Sequence, residues 1–159
     1  MARVLIVGCG CRGQELARAL VASGHAVRGT TRSPERHEAI ASAGAEAVSA
    51  DPDRLVTLMP AIEGVSVVCW LMGTARGEPD AVAALHAERL ESMLEHIVDT
   101  PVRGLVYETG GAPREAGVAA CSRVAQTYSM PVEVVDADPS QHDAWLAAAA
   151  SAVDRVLTA

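Results

Sequence analysis

The stretch Val4-Leu5-Ile6-Val7-Gly8-Cys9-Gly10-Cys11-Arg12-Gly13-Gln14-Glu15-Leu16-Ala17-Arg18-Ala19-Leu20 decides how the rest of the chain is read. Four apolar residues run into glycines spaced G-x-G-x-x-G, and Leu16, Ala17, Leu20 and Val21 then recur at helical spacing. The glycine spacing alone is common. Between a strand and a helix, the three glycines serve a tight turn, close approach of a pyrophosphate, and helix–strand contact. The helix start adds amides without intrahelical partners and a partial positive charge. The residues therefore predict a nucleotide site in which Gly8, Gly10, Cys11, Arg12 and Gly13 surround a pyrophosphate.

Outward from this motif, strand and helix patterns alternate to the end of the chain. Strands are expected at about 3–8, 25–31, 45–49, 65–71, 102–108 and 131–136. Helices are expected at about 11–23, from Pro34 to near Gly44, from Asp51 or Asp53 to about Ile62, and at about 80–98, 114–128 and 139–157. Asp138-Pro139-Ser140-Gln141 reads as the start of the last helix, an acidic cap with Pro at N1 and Gln at N3. No linker or repeat interrupts the pattern, so residues 1–159 read as one domain. The fold class is α/β: a single doubly wound Rossmann domain whose six-stranded, mainly parallel sheet has order 3-2-1-4-5-6, with helices on both faces.

The end of the second strand bears on which nucleotide is preferred. An NAD site places an Asp or Glu there, about 20 residues past the glycines, to hold the ribose hydroxyls. This chain has Thr31-Arg32-Ser33 instead, a set of hydroxyls and a cation suited to a 2′-phosphate, with Arg36 and Arg12 nearby. The expectation is NADP(H) over NAD(H).

Composition narrows the partners. A formal net charge of −7 argues against nucleic acid, which needs a basic face. No apolar stretch approaches the length of a membrane span. Met1-Ala2-Arg3 runs straight into the first strand, so no secretory leader is expected. The four cysteines form no secreted disulfide pattern, and a cytoplasmic location follows as the default. All 13 basic residues are arginine, so no lysine amine is available for a Schiff base or a proton relay.

The chain resembles an atypical or extended short-chain dehydrogenase/reductase, of the NAD(P)-dependent epimerase and NmrA-like kind. VLIVGCGCRGQELARAL, SGHAVRGTTRS, SADPDRLVTLMPAIEGVSVV and GLVYETGG carry the similarity, over about residues 3–111. The resemblance implies a dinucleotide-binding sheet with an active crevice beyond strands 4 and 5. It places Leu71, Met72, Gly73 and Thr109 at the nicotinamide end, with Thr109 orienting substrate. It also implies a Tyr-x-x-x-Lys pair, which is missing: four residues beyond Tyr107 stands Gly111, and four beyond Tyr128 stands Val132. The chain is shortened relative to such enzymes, since it stops just after strand 6. A weaker similarity, Ser23-Gly24-His25-Ala26-Val27 followed by Arg32, is to β-hydroxyacid dehydrogenases, which also need a lysine.

Other polar residues fall at the ligand-binding end of the sheet: Glu108, Asp136, Asp138 and His142. Glu108 is a candidate acid or base beside Thr109. Cys9 and Cys11 read as small residues in a tight turn, and with no further ligands in place no metal site is expected. His86 and His96 are expected in solvent or in a subunit contact. The helix at about 80–98 is a candidate surface for a homodimer or a partner subunit, although packing on its own sheet gives the same pattern. Two functional classes follow. One is a cofactor-binding sensor or accessory module; the other is a small NADPH-dependent oxidoreductase or epimerase-like enzyme using Thr109 or Glu108.

Overall fold

Six parallel strands form one sheet in the order β3-β2-β1-β4-β5-β6. They are β1 (Arg3–Val7), β2 (Ala26–Thr31), β3 (Glu46–Ser49), β4 (Val67–Trp70), β5 (Gly104–Glu108) and β6 (Val132–Val135). The computed structural model describes residues 1–110 and 114–159. Gly111-Ala112-Pro113, expected in the loop after the fifth strand, lie outside the described residues. The sheet is wholly parallel, which accounts for the unbroken apolar runs: strands covered on both faces have no solvent side.

The helices are α1 (Cys11–Ala22), α2 (His37–Ser42), α3 (Met59–Ile62), α4 (Pro79–Leu85), α5 (Glu88–Ile97), α6 (Arg114–Tyr128) and α7 (His142–Thr158). Leu16, Leu20, Ile40, Trp145, Ala149 and Val153 cover one face of the sheet, against Val4, Ile6, Cys69 and Val106. Ile62, Leu85, Met93, Ile97 and Val124 cover the other, against Leu5, Val68, Trp70 and Tyr107. Reversal of strand order at β1 puts β2 and β4 on either side of it, and opens a crevice at their carboxyl ends.

Four helices differ from the sequence expectation. The one expected from Pro34 opens as a 3-10 turn, Pro34–Arg36, and α2 proper begins at His37. The one after β3 is a 3-10 turn, Leu55–Thr57, followed by the short α3, because Pro60 has no N–H to continue a helix through that point. α7 begins at His142, three residues late. Asp138 instead accepts from the Ser140 N–H and hydroxyl at 2.8 and 2.7 Å, closing a local turn before the helix.

The expected helix at about 80–98 is broken into α4 and α5 at His86-Ala87. The break turns His86 inward, so it is buried rather than in solvent or at a subunit contact. Its Nε2 lies 3.0 Å from the Met72 carbonyl, which can only accept, so Nε2 carries the proton. Nδ1 is then the acceptor for the Tyr107 hydroxyl at 2.7 Å. Leu90, Met93, Leu94 and Ile97 of α5 pack into the chain's own core, leaving Glu88, Arg89, Ser92 and Glu95 outward. The apolar stripe is thus occupied within the chain. Among the described residues no helix is long and apolar enough to cross a membrane.

Burial holds the His86 imidazole below its ordinary range, against the opposing bond to the Met72 carbonyl. The unfolded chain protonates this ring near about pH 6.5. Between that value and the lower folded one, the unfolded state binds more protons, so stability falls as pH drops through this window. The melting temperature should therefore fall between about pH 7 and about pH 5.5, and His86→Gln should flatten that part of the profile. An identical slope in wild type and variant would contradict the assignment.

Candidate cofactor site

The chain passes from β1 to α1 through Gly8, Cys9 and Gly10. Gly8 has φ +86°, and a Cβ there would lie 2.6 Å from the Leu71 carbonyl oxygen. The turn is tied to β2: the Gly8 N–H donates to Thr30 Oγ1 at 3.3 Å and the Cys9 N–H to the Thr30 carbonyl at 3.0 Å. At Gly13 a Cβ would be 3.2 Å from the Gly8 carbonyl and 3.3 Å from Ile6 Cγ2, so the helix sits directly on the strand. At Gly10 a Cβ would meet nothing within 4 Å. The first and third glycines are thus required by the protein's own packing, while the second faces open space.

Cys9 is buried in this turn, and burial pushes its thiol up to about 12, so it packs and does not react. Cys11 is exposed at the mouth. The first intrahelical bond of α1 runs from Gln14 N–H to the Gly10 carbonyl at 2.8 Å, leaving the amides of Cys11, Arg12 and Gly13 without helical partners. No acidic residue occupies the first turn. An anion here gains both the hydrogen bonds and the positive end of the helix dipole.

These amides open on a cleft of about 530 Å³, within the usual range for small-molecule sites. Gly8, Gly10, Cys11, Arg12, Gly13, Thr31, Arg32, Ser33, Arg36, Leu71 and Met72 all line it. Gly73, Glu108 and Thr109 do not. In a chain of formal net charge −7, the lining contains Arg12, Arg32, Arg36 and Arg76 and, among the described residues, no carboxylate. Arg76, in the loop after β4, was not singled out from sequence; nothing marks it there except a polar stretch. Neither Arg36 nor Arg76 has an ion-pair partner among the described residues. Arg32 is well exposed and lies 4.0 Å from Asp53, a loose pair that solvent screens. Thr31 Oγ1 accepts from the Ser33 N–H at 3.1 Å and shapes the bend that presents Arg32 and Ser33.

Glu108 occupies a different place. It is 1% exposed and accepts only: from the Arg12 guanidinium, from the Gly73 N–H at 2.7 Å and from Trp145 Nε1–H at 2.8 Å. Arg12 meets both carboxylate oxygens, donates to Thr74 Oγ1 at 2.8 Å, and lies over the Trp145 ring at 4.8 Å from its centroid. One carboxylate therefore joins α1, the end of β4, β5 and α7. Thr109 is nearly buried too; its hydroxyl donates to Asp136 and its N–H to the Val135 carbonyl at 3.0 Å. From sequence, Trp145 on the last helix reads as core packing in preference to a partner groove; its indole donor finds a partner only once the fold sets it against β5. His142 lies outside the cleft, 3.7 Å from Glu15.

Two sets of variants test this geometry. Gly10→Ala should cost no more than about 1 kcal/mol of stability, since the residue only precedes the helix, yet weaken nucleotide binding at least about tenfold. Gly8→Ala should lose about 2 kcal/mol or more through left-handed strain and collision with Leu71. Glu108→Ala should cost about 3–5 kcal/mol by denaturant unfolding, because Arg12 and the Trp145 N–H lose a buried partner. Stability unchanged in Glu108→Ala would contradict the role given to that carboxylate.

Similarity to known proteins agrees with this geometry. The family profile described as NAD(P)H-binding matches residues 8–112. No curated protein matches the chain. Among solved structures, the chain is similar to a Bacillus halodurans protein assigned as an NAD-dependent epimerase/dehydratase, with 15% identity, TM-score 0.69, and coverage of 84% of this chain and 69% of that one. It is also similar to UDP-glucuronic acid 4-epimerase from Bacillus cereus in complex with NAD, with 14% identity, TM-score 0.65, and coverage of 83% and 55%. For triphenylmethane reductase of Citrobacter sp. complexed with NADP(H), the values are 17% identity, TM-score 0.63, and coverage of 84% and 48%. The chain thus spans about half the length of the last two, and at these identities the likeness shows the fold alone. The profile match over most of the chain shows more: this chain belongs to the NAD(P)H-binding family.

Proposed function

We propose that this chain binds NADP(H) in preference to NAD(H) and acts as a cofactor-binding sensor or accessory module of the cytoplasm. The observation that carries this reading is the charge of the cleft, which among the described residues is lined by four arginines and no carboxylate around a helix N-terminus. Cys11, Arg12 and Gly13 amides would hold the pyrophosphate beside Gly10. Arg32, Ser33 and Arg36 would hold the adenosine 2′-phosphate. An acid able to bind a free ribose diol is missing from that end of the lining. NADP(H) supplies hydride chemistry when bound.

A catalytic role for the chain's own residues has less support. The polar atoms of Glu108 and Thr109 are committed to Arg12, Gly73, Trp145 and Asp136, and neither residue lines the cleft. All four cysteines are unpaired, which fits a reducing compartment. A partner subunit would meet α4 and α5 through outward Asp80, Glu88, Arg89 and Glu95, since the large apolar residues Leu85, Leu90, Met93, Leu94 and Ile97 face inward.

Titration with NADPH and NADH tests the cofactor preference. Wild type should bind NADPH at least about tenfold more tightly, and Arg32→Glu should erase the difference. Equal affinities in wild type would defeat the preference. A panel of carbonyl substrates should leave bound NADPH unoxidised; turnover that disappears in Thr109→Ala would favour the oxidoreductase reading instead.

A further inference from the structure

The cleft at the start of α1 has a second wall, built from the end of β4 and the loop after it, where Leu71, Met72, Thr74, Ala75 and Arg76 line it. Several contacts fix this wall against the glycine turn. A Cβ at Gly8 would meet the Leu71 carbonyl oxygen at 2.6 Å and Met72 Cε at 3.2 Å, so the turn lies directly on the strand end. Glu108 accepts from the Gly73 N–H at 2.7 Å, and Thr74 Oγ1 accepts from the Arg12 guanidinium at 2.8 Å. The Ala75 N–H donates to the Met72 carbonyl at 3.1 Å and turns the loop. Arg76 stands two residues beyond Thr74, a reach of at most about 7 Å along the chain. The loop is thereby held beside the first turn of α1, with an exposed Arg76 in the lining of the same cleft.

The cations of this lining are not equally available. Arg12, inside the glycine motif, is engaged by both Glu108 oxygens, by Thr74 Oγ1 and by the Trp145 ring, and the carboxylate balances its charge. Arg76 has no ion-pair partner among the described residues, and Glu78 and Asp80, the acids that follow it in sequence, do not pair with it. We infer that Arg76 is the cation that binds the dinucleotide's pyrophosphate, from the β4 wall, while the α1 amides hold it from the other. The inference rests on the reading that those amides take a pyrophosphate. The N-terminus of a helix offers about half an elementary charge, which leaves most of a doubly charged pyrophosphate uncompensated. A guanidinium supplies a full charge and can donate to two phosphate oxygens at once. Arg12 then has a positioning role: through Thr74 it holds the wall that carries Arg76. The arginines divide by phosphate, Arg32 and Arg36 serving the adenosine 2′-phosphate and Arg76 the pyrophosphate.

The test uses the full chain, as wild type, Arg76→Gln and Gly10→Ala, with two ligands: NADPH, and adenosine 2′-monophosphate, which lacks the pyrophosphate. By calorimetry, Arg76→Gln should bind NADPH at least about tenfold more weakly than wild type, while its affinity for adenosine 2′-monophosphate stays within about twofold. NADPH affinity within about twofold of wild type in Arg76→Gln, with Gly10→Ala weakened, would overturn the inference and leave the pyrophosphate reading in place. Equal losses for both ligands in Arg76→Gln would also overturn it, since Arg76 would then serve the 2′-phosphate. Failure of wild type to bind NADPH would instead remove the nucleotide reading itself, and this inference with it.

Discussion

The structure depends on how little chain separates β1 from α1. β1 lies at the centre of the sheet, buried between β2 and β4, so its direction is fixed by neighbours on both sides. Only Gly8, Cys9 and Gly10 intervene before the helix, and Gly13 brings that helix into contact with both Ile6 and the Gly8 carbonyl. The helix has no freedom to tilt away, and its first amides must open at the carboxyl end of the sheet. A binding site for an anion is therefore a consequence of packing, placed there by the same contacts that stabilise the fold.

Glu108 imposes a second constraint, of the opposite kind. A carboxylate removed from water is tolerated only if donors surround it, and Arg12, Gly73 and Trp145 supply them from three separate elements. The cluster fixes α7 against the sheet and holds Arg12 close to the glycine turn. Arg36 and Arg76 line the cleft without ion-pair partners among the described residues, while Arg12 is paired with Glu108. The free arginines suit recognition of a polyanion, and the cluster keeps the Glu108 carboxylate from solvent.

Much of this was legible in the residues. Unbroken apolar strands alternating with one-sided helices give the parallel doubly wound sheet and its order, because covered strands have no polar face to show. The glycine turn and Thr31-Arg32-Ser33 could be placed beside one cleft because strand ends in such a sheet share one edge. What remained hidden are contacts between residues far apart in sequence. No Pro or Gly marks 86–87, so the division between α4 and α5 has no breaker signal; it is tied to His86 reaching Tyr107 and Met72. Glu108 reads as an acid at a strand end, and only the approach of α7 reveals that Trp145 seals it. Pro60 was a visible signal, since a proline seven or nine residues beyond the expected cap at Asp53 or Asp51 argues for two shorter pieces.

The central claim is that phosphate groups of an adenine nucleotide sit on the amides that begin α1. Nitrogen-15 amide spectra of the full chain, recorded during addition of NADPH, address it most directly. The largest shifts should fall at Gly8 through Gly13, with a second group at Thr31 through Arg36. Shifts concentrated instead on the α1–α7 groove around Glu15 and His142, with the glycine turn unmoved, would contradict it.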